Sequence, residues 1–195
     1  MKPDWMTAFT DGVFAIIITI MVLELHVPEG NTLAALRPEL PLFGAYVFSF
    51  IYVGIYWNNH HHMLQSVRRI DGSVLWANLF LLFWLSLFPF LIRWIGERGL
   101  TSVPAAAFGL VLFMAGVAYA LLERELIGVE GKSSEIAKAV GARFKEWASV
   151  LGYAAGIISA FAISPYLSVG LYGAVAILWL IPDRRFERRG NLQEQ

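Results

Sequence analysis

Phe9-Thr10-Asp11-Gly12-Val13-Phe14-Ala15-Ile16-Ile17-Ile18-Thr19-Ile20-Met21-Val22-Leu23-Glu24-Leu25 is a bilayer-length apolar run with a carboxylate near its start. A helix needs about 20 apolar residues to cross the hydrocarbon core. An ionisable side chain inside such a span is costly, roughly 2.5–3.5 kcal/mol on insertion scales, so Asp11 demands a partner, a cavity or a role.

The rest of the chain agrees with a membrane reading. Of 195 residues, 57% are hydrophobic and 15% charged, against about 25% charged in a soluble domain. The apolar residues fall in long runs, which points to an integral membrane protein. The length fits one compact helical bundle. Zero net charge argues against a nucleic-acid partner. No cysteine is present, which removes disulfides, thiolate nucleophiles and Cys-metal sites. Lys2 is the only basic side chain ahead of the first run, and no small-x-small cleavage site follows it. The first segment is therefore expected to be a retained span.

Six spans can be drawn, at about 5–25, 41–63, 73–95, 103–123, 147–164 and 166–182, each near the ~20 residues a bilayer requires. The predicted fold is an all-α bundle of six transmembrane helices in a single domain, 1–195. Residues 26–40 hold Pro28, Gly30 and Pro38 and read as a loop with one helical turn. Ser164-Pro165 reads as a tight turn between the last two spans. Residues 124–146 form the largest polar stretch. One side of the membrane then carries Lys2, Arg68, Arg69, Arg124, Lys132, Lys138, Arg143, Lys145, Arg184, Arg185, Arg188 and Arg189. The other carries Arg37, Arg93 and Arg98. This bias predicts both termini on the cytoplasmic side and an even number of spans.

On a helix, Ile16, Thr19, Ile20 and Leu23 share an arc of about 100°. Gly12, Val13 and Phe9 continue that face toward the cytoplasm. Asp11 lies about 140° from Ile16, toward neighbouring helices. Candidate donors stand at the same depth. Trp57, Asn58, Asn59, His60, His61 and His62 end the second span and Asn78 begins the third. A hydrogen-bonded knot of Thr10, Asp11, Trp57, one histidine and Asn78 is expected there.

With those residues in place, the chain resembles a known family. Phe9-Thr10-Asp11-Gly12-Val13-Phe14-Ala15-Ile16, Thr19, and Val22-Leu23-Glu24-Leu25-His26-Val27-Pro28 are similar to the FSD signature of the transmembrane protein 175 family of potassium channels. Tyr56-Trp57-Asn58-Asn59-His60-His61 and the run from Trp76-Ala77-Asn78 to Phe88-Pro89-Phe90 extend the resemblance over roughly the first ninety residues. It implies a six-helix subunit in a homotetramer, with the first helix of each copy lining a central pore. Ile16 would form a hydrophobic constriction and Thr19 a threonine layer, with Ile20 and Leu23 extending the narrow stretch. Phe9, Thr10, Asp11, Trp57, His60, His61 and Asn78 would anchor the helix. Two departures stand out: Thr10 replaces the serine of the motif, and Trp5 occupies the position of a basic residue usual in the family.

The expected function is a potassium-permeable leak-type cation channel of the cytoplasmic membrane. K+ would be the permeant ion, with no cofactor and no fixed metal site, and the partners would be further copies of the chain and membrane lipid. Four isoleucines around an axis can close a pore by dewetting. The alternative is an ion-coupled secondary transporter using Asp11 and a histidine, but no inverted repeat or broken mid-membrane helix is evident. No convergent nucleophile-base or metal set suggests an enzyme. Three consecutive histidines fan out by about 100° per step and cannot converge on one ion. Ser168-Val169-Gly170-Leu171-Tyr172-Gly173 superficially matches a potassium filter, but it lies inside the sixth span and reads better as packing. Gly152 and Gly156 form a small-xxx-small pair, also a packing signal.

Overall fold

A computed structural model describes residues 3–65, 67–131, 134 and 144–180. The described residues are mostly helical, with no strand among them. The helices are α1 (Asp4–Leu23), α2 (Leu40–Gln65), α3 (Gly72–Leu85), α4 (Phe88–Arg98), α5 (Ser102–Glu130), α6 (Phe144–Ala162) and α7 (Pro165–Leu180), with a 3-10 helix at Leu33–Glu39. Four stretches are long and apolar enough to cross a membrane: Asp4–Leu23, Leu33–Gln65, Gly72–Arg98 and Ser102–Glu130. Lys2, Lys132, Lys138, Arg143, Arg184, Arg185, Arg188 and Arg189 of the charge-bias argument, and the last two residues of the sixth span, lie outside the described residues.

Two boundaries differ from the sequence expectation. The third span, expected as one helix over 73–95, is α3 and α4 joined at Ser86-Leu87. Pro89 has no N–H to give the Leu85 carbonyl, and its ring would collide with that carbonyl in a continuous helix. The chain therefore turns one step earlier. Ser86 Oγ donates to Phe83 O at 2.7 Å, and the Leu87 N–H donates to Trp84 O at 3.3 Å. The fourth span, expected to stop at 123, continues to Glu130. It ends where Gly131 adopts φ +96° and returns its N–H to Ile127 O at 2.8 Å, a positive φ that costs glycine little. That extra length places Glu130 beneath the α2–α3 connection, where its carboxylate accepts from the Arg68 and Arg69 backbone N–H groups at 2.9 and 3.1 Å. The loop at 26–40 carries its single helical element at Leu33–Glu39.

One buried core runs from α1 through α2, α3, α4 and α5 to α6 and α7. The last two are antiparallel: Trp179 near the end of α7 donates to Ser149 Oγ near the start of α6 at 2.8 Å. At the other end, Ser159 and Ser168 share a hydrogen bond at 3.0 Å. Tyr172 is the wedge of this core. Its ring presses against Gly109 of α5 and Gly156 of α6, where a methyl group would collide with it. Its hydroxyl donates to Ala105 O at 3.2 Å, and Tyr52 of α2 donates to its carbonyl. Lipid is as apolar as leucine, so a membrane bundle is held by close packing and by such interhelical hydrogen bonds. Tyr172 supplies both, and packing is the place the structure gives this segment.

Candidate functional site

Helix α1 docks on its own bundle by one face only. Met6, Thr10, Phe14, Ile17 and Met21 are buried, a spacing of three and four residues that makes one stripe. Leu23 (79% exposed), Ile16 (57%) and Ile20 (42%) are uncovered in the protomer. Phe9, Gly12 and Thr19 lie on the same exposed side. The Thr19 hydroxyl donates back to its own helix, to Ala15 O at 3.0 Å and Ile16 O at 2.9 Å.

The docked face is fixed by a polar cluster at the start of α1, the end of α2 and the start of α3. Asn78 Nδ2 donates to Thr10 Oγ1 at 2.8 Å. Asn78 Oδ1 lies 2.8 Å from His60 Nε2. An amide oxygen only accepts, so this orientation of Asn78 requires the proton on His60 Nε2. Thr10, His60 and Asn78 are essentially sealed, at 0%, 1% and 1% exposure. The Phe14 ring covers His60 at a centroid distance of 6.3 Å. One turn away, Trp57 Nε1 donates to Asp11 Oδ1 at 2.9 Å near the surface of the protomer. His61 stacks on Trp57 at 5.7 Å and pairs with Gln65 at 2.9 Å through Nε2.

The buried chain is thus Thr10–Asn78–His60, and the outer tie is Asp11–Trp57. The sequence-predicted residues Thr10, Asp11, Trp57, His60 and Asn78 all lie in this cluster. His61 stands behind Trp57, while Phe9 faces away from it. A carrier would couple ions through Asp11 and a histidine, yet Asp11 is engaged by an indole and His60 by an amide. Sequence reasoning missed Phe14, the lid on His60; its place four residues after Thr10 on one helical stripe was the available signal. It also missed Asp71, the N-cap of α3. Asp71 Oδ1 accepts from the Ser73 and Val74 N–H groups at 3.0 and 3.1 Å and sets the start of the helix that carries Asn78. Among the described residues no group of three or more His, Asp or Glu side chains is placed to hold a metal ion.

These features define an integral membrane protein, an all-helical bundle whose first helix is polar-locked on one side and bare on the other. The chain belongs to the TMEM175 family. The family profile described as "Endosomal/lysosomal potassium channel TMEM175" matches residues 5–89. A protein of Chryseobacterium sp. (strain P1-3) named a potassium channel is 54% identical over 188 residues, covering 96% of this chain and 97% of that protein. A Streptomyces collinus protein, also named a potassium channel, is 36% identical over 123 residues, covering 59% of this chain and 60% of that protein. A crystal structure described as a lysosomal potassium-selective channel TMEM175 homolog from Chamaesiphon minutus superposes with a TM-score of 0.73. It is 26% identical and covers 90% of this chain and 94% of that one.

Proposed function

We propose that the chain is a potassium-permeable leak channel, a homotetramer of six-span subunits in the cytoplasmic membrane with both termini cytoplasmic. The single observation that carries the reading is the division of α1 into two faces. Met6, Thr10, Phe14, Ile17 and Met21 are used up inside the protomer, while Ile16, Thr19, Ile20 and Leu23 are left uncovered over the second half of the helix. Family membership and the names of the relatives supply the ion. The antiparallel pair α6 and α7 supplies the fifth and sixth spans.

In this reading the bare faces of four α1 helices surround the axis. Ile16 forms the constriction, and its side chains close the path by excluding water. Thr19 forms a hydroxyl layer one turn beyond, and Ile20 and Leu23 continue the narrow apolar stretch. Opening requires α1 to rotate or spread. The Thr10–Asn78–His60 chain and the Asp11–Trp57 bond fix the rotation of α1, so that Ile16 faces the axis and the polar groups do not.

The test is purified protein in liposomes with a potassium gradient and no second gradient. Ohmic, unitary currents and a detergent-corrected mass of four times the 21.8 kDa protomer are expected. Slow, saturable flux that needs a coupled ion, or a monomeric mass, overturns the reading.

A further inference from the structure

We propose that the cavity enclosed by α2, α5, α6 and α7 is a binding site for an amphipathic organic monocation, an ammonium carrying an aryl or short alkyl group. The cavity is separate from the exposed face of α1 and has a volume of about 340 Å³, within the ~300–1,000 Å³ of small-molecule sites. Its walls are aromatic and aliphatic, with Tyr56, Tyr119, Tyr153 and Trp179 contributing rings from all four helices. Tyr56 meets Tyr119 edge to face at 6.1 Å, and Tyr119 meets Trp179 at 6.5 Å. The faces of such rings carry negative potential and attract cations. The structure contains one instance of this already: Lys145 Nζ sits 5.7 Å over the Trp179 ring.

Charge complementarity selects the sign of the ligand. Glu123 of α5 and Glu146 of α6 both line the cavity. With Arg124, they leave one net negative formal charge among the described charged lining residues of an apolar, ring-lined space. A monocation seated there balances that charge, and its apolar part fits against Phe113, Val117 and Val150. Arg124 in that lining disfavours a dication. Space is available as well. A Cβ built on Gly116, in the cavity wall, comes no closer than 3.9 Å to Tyr153 and Tyr56.

An occupant would touch the flank of α2 that carries Tyr56 and Asn59. Trp57 and His60, on the same two turns, hold α1 or the Asn78 that bonds to it.

The probe is benzyltrimethylammonium, titrated calorimetrically into the full-length protein in neutral detergent, with neopentylbenzene as its uncharged counterpart. Saturable binding of the cation and at least tenfold weaker binding of the hydrocarbon are expected. Glu123→Gln and Glu146→Gln, which preserve shape, should each weaken the cation about tenfold, roughly the effect of removing one nearby charge at a partly buried site. Gly116→Leu should abolish binding by filling the space. Equal binding of the hydrocarbon overturns the proposal in favour of an apolar or lipid-chain site. Cation binding that survives both glutamine variants overturns it by placing the cation elsewhere, the α1 face included. Absence of binding overturns it outright. None of these readouts requires ion conduction, so they are independent of the channel reading.

Discussion

Asn78 Nδ2 donates to Thr10 Oγ1 at 2.8 Å, and through this one bond the third helix holds the first. The same amide accepts from His60 on its other end, so three helices meet at a side chain that is 1% exposed. Removing Asn78 takes this partner from both Thr10 and His60, whereas removing Thr10 or His60 leaves one end of the Asn78 amide unpaired; each stranded group costs about 1–3 kcal/mol in a sealed site.

Asn78→Leu should therefore lower the thermal midpoint of the detergent-solubilised protein more than Thr10→Val does, because it strands both His60 and Thr10. Thr10→Ser keeps the hydroxyl and should be close to neutral. Scanning fluorimetry on the three variants checks the order; equal midpoints for Asn78→Leu and wild type would remove the network from any stabilising role.

Asp11→Ala and Trp57→Phe each break the outer tie between α1 and α2. Interhelical hydrogen bonds in membranes average about 0.6 kcal/mol and reach about 1.7. Folding should survive, while the fraction of assembled protein falls. Size-exclusion with mass detection reads this directly. An Asp11→Ala channel that assembles normally but prefers a different ion would show that the carboxylate serves permeation instead of anchoring.

Ile16→Asn places a polar group at the proposed constriction and should raise single-channel conductance several-fold by keeping the pore wet. Thr19→Val removes the hydroxyl with little change of shape. It should shift the reversal potential under a potassium–sodium gradient toward no preference, and an unmoved reversal potential would exclude a threonine layer.

Gly156→Ala puts a methyl group into the Tyr172 ring. Overpacking of this kind costs about 1–3 kcal/mol, so the thermal midpoint should drop by several degrees. The double variant Gly156→Ala/Tyr172→Leu should recover part of the loss.

Asp71 caps α3, and the backbone N–H of Val74 and then the Ser73 side chain hold its carboxyl below the usual aspartate value. A pKa depressed by folding gives stability that is present above the unfolded value and disappears as pH falls through the folded one. Asparagine caps equally well without titrating. Wild type should thus lose stability relative to Asp71→Asn only in the acid range below the ordinary aspartate pKa. Parallel acid curves for the two proteins would contradict this.

The order of spans places the start of α1, the end of α2 and the start of α3 at one end of the bundle, so Thr10, Trp57 and Asn78 could be grouped from the sequence. Which group bonds which could not be read, because it depends on how each helix is rotated about its axis. The helical stripe of α1 was visible in the spacing of Ile16, Thr19, Ile20 and Leu23. Its docked face was less so, since Phe14, Ile17 and Met21 are as apolar as the exposed residues, and in lipid hydropathy does not separate inside from outside. The Ser86-Leu87 break was written in Pro89, whose effect falls four residues upstream of itself. That Glu123 and Glu146 line one cavity was invisible, because residues on separate helices come together only through tertiary packing.

Thr19 spends its only proton on the carbonyls of Ala15 and Ile16. What remains pointing away from the helix is a pair of oxygen lone pairs. Wherever a solute slides past this position, the side chain can solvate positive charge but has no donor to give chloride or nitrate. In the proposed pore, this bond of the helix to itself would favour cations over anions at the Thr19 layer without a formal charge on that side chain.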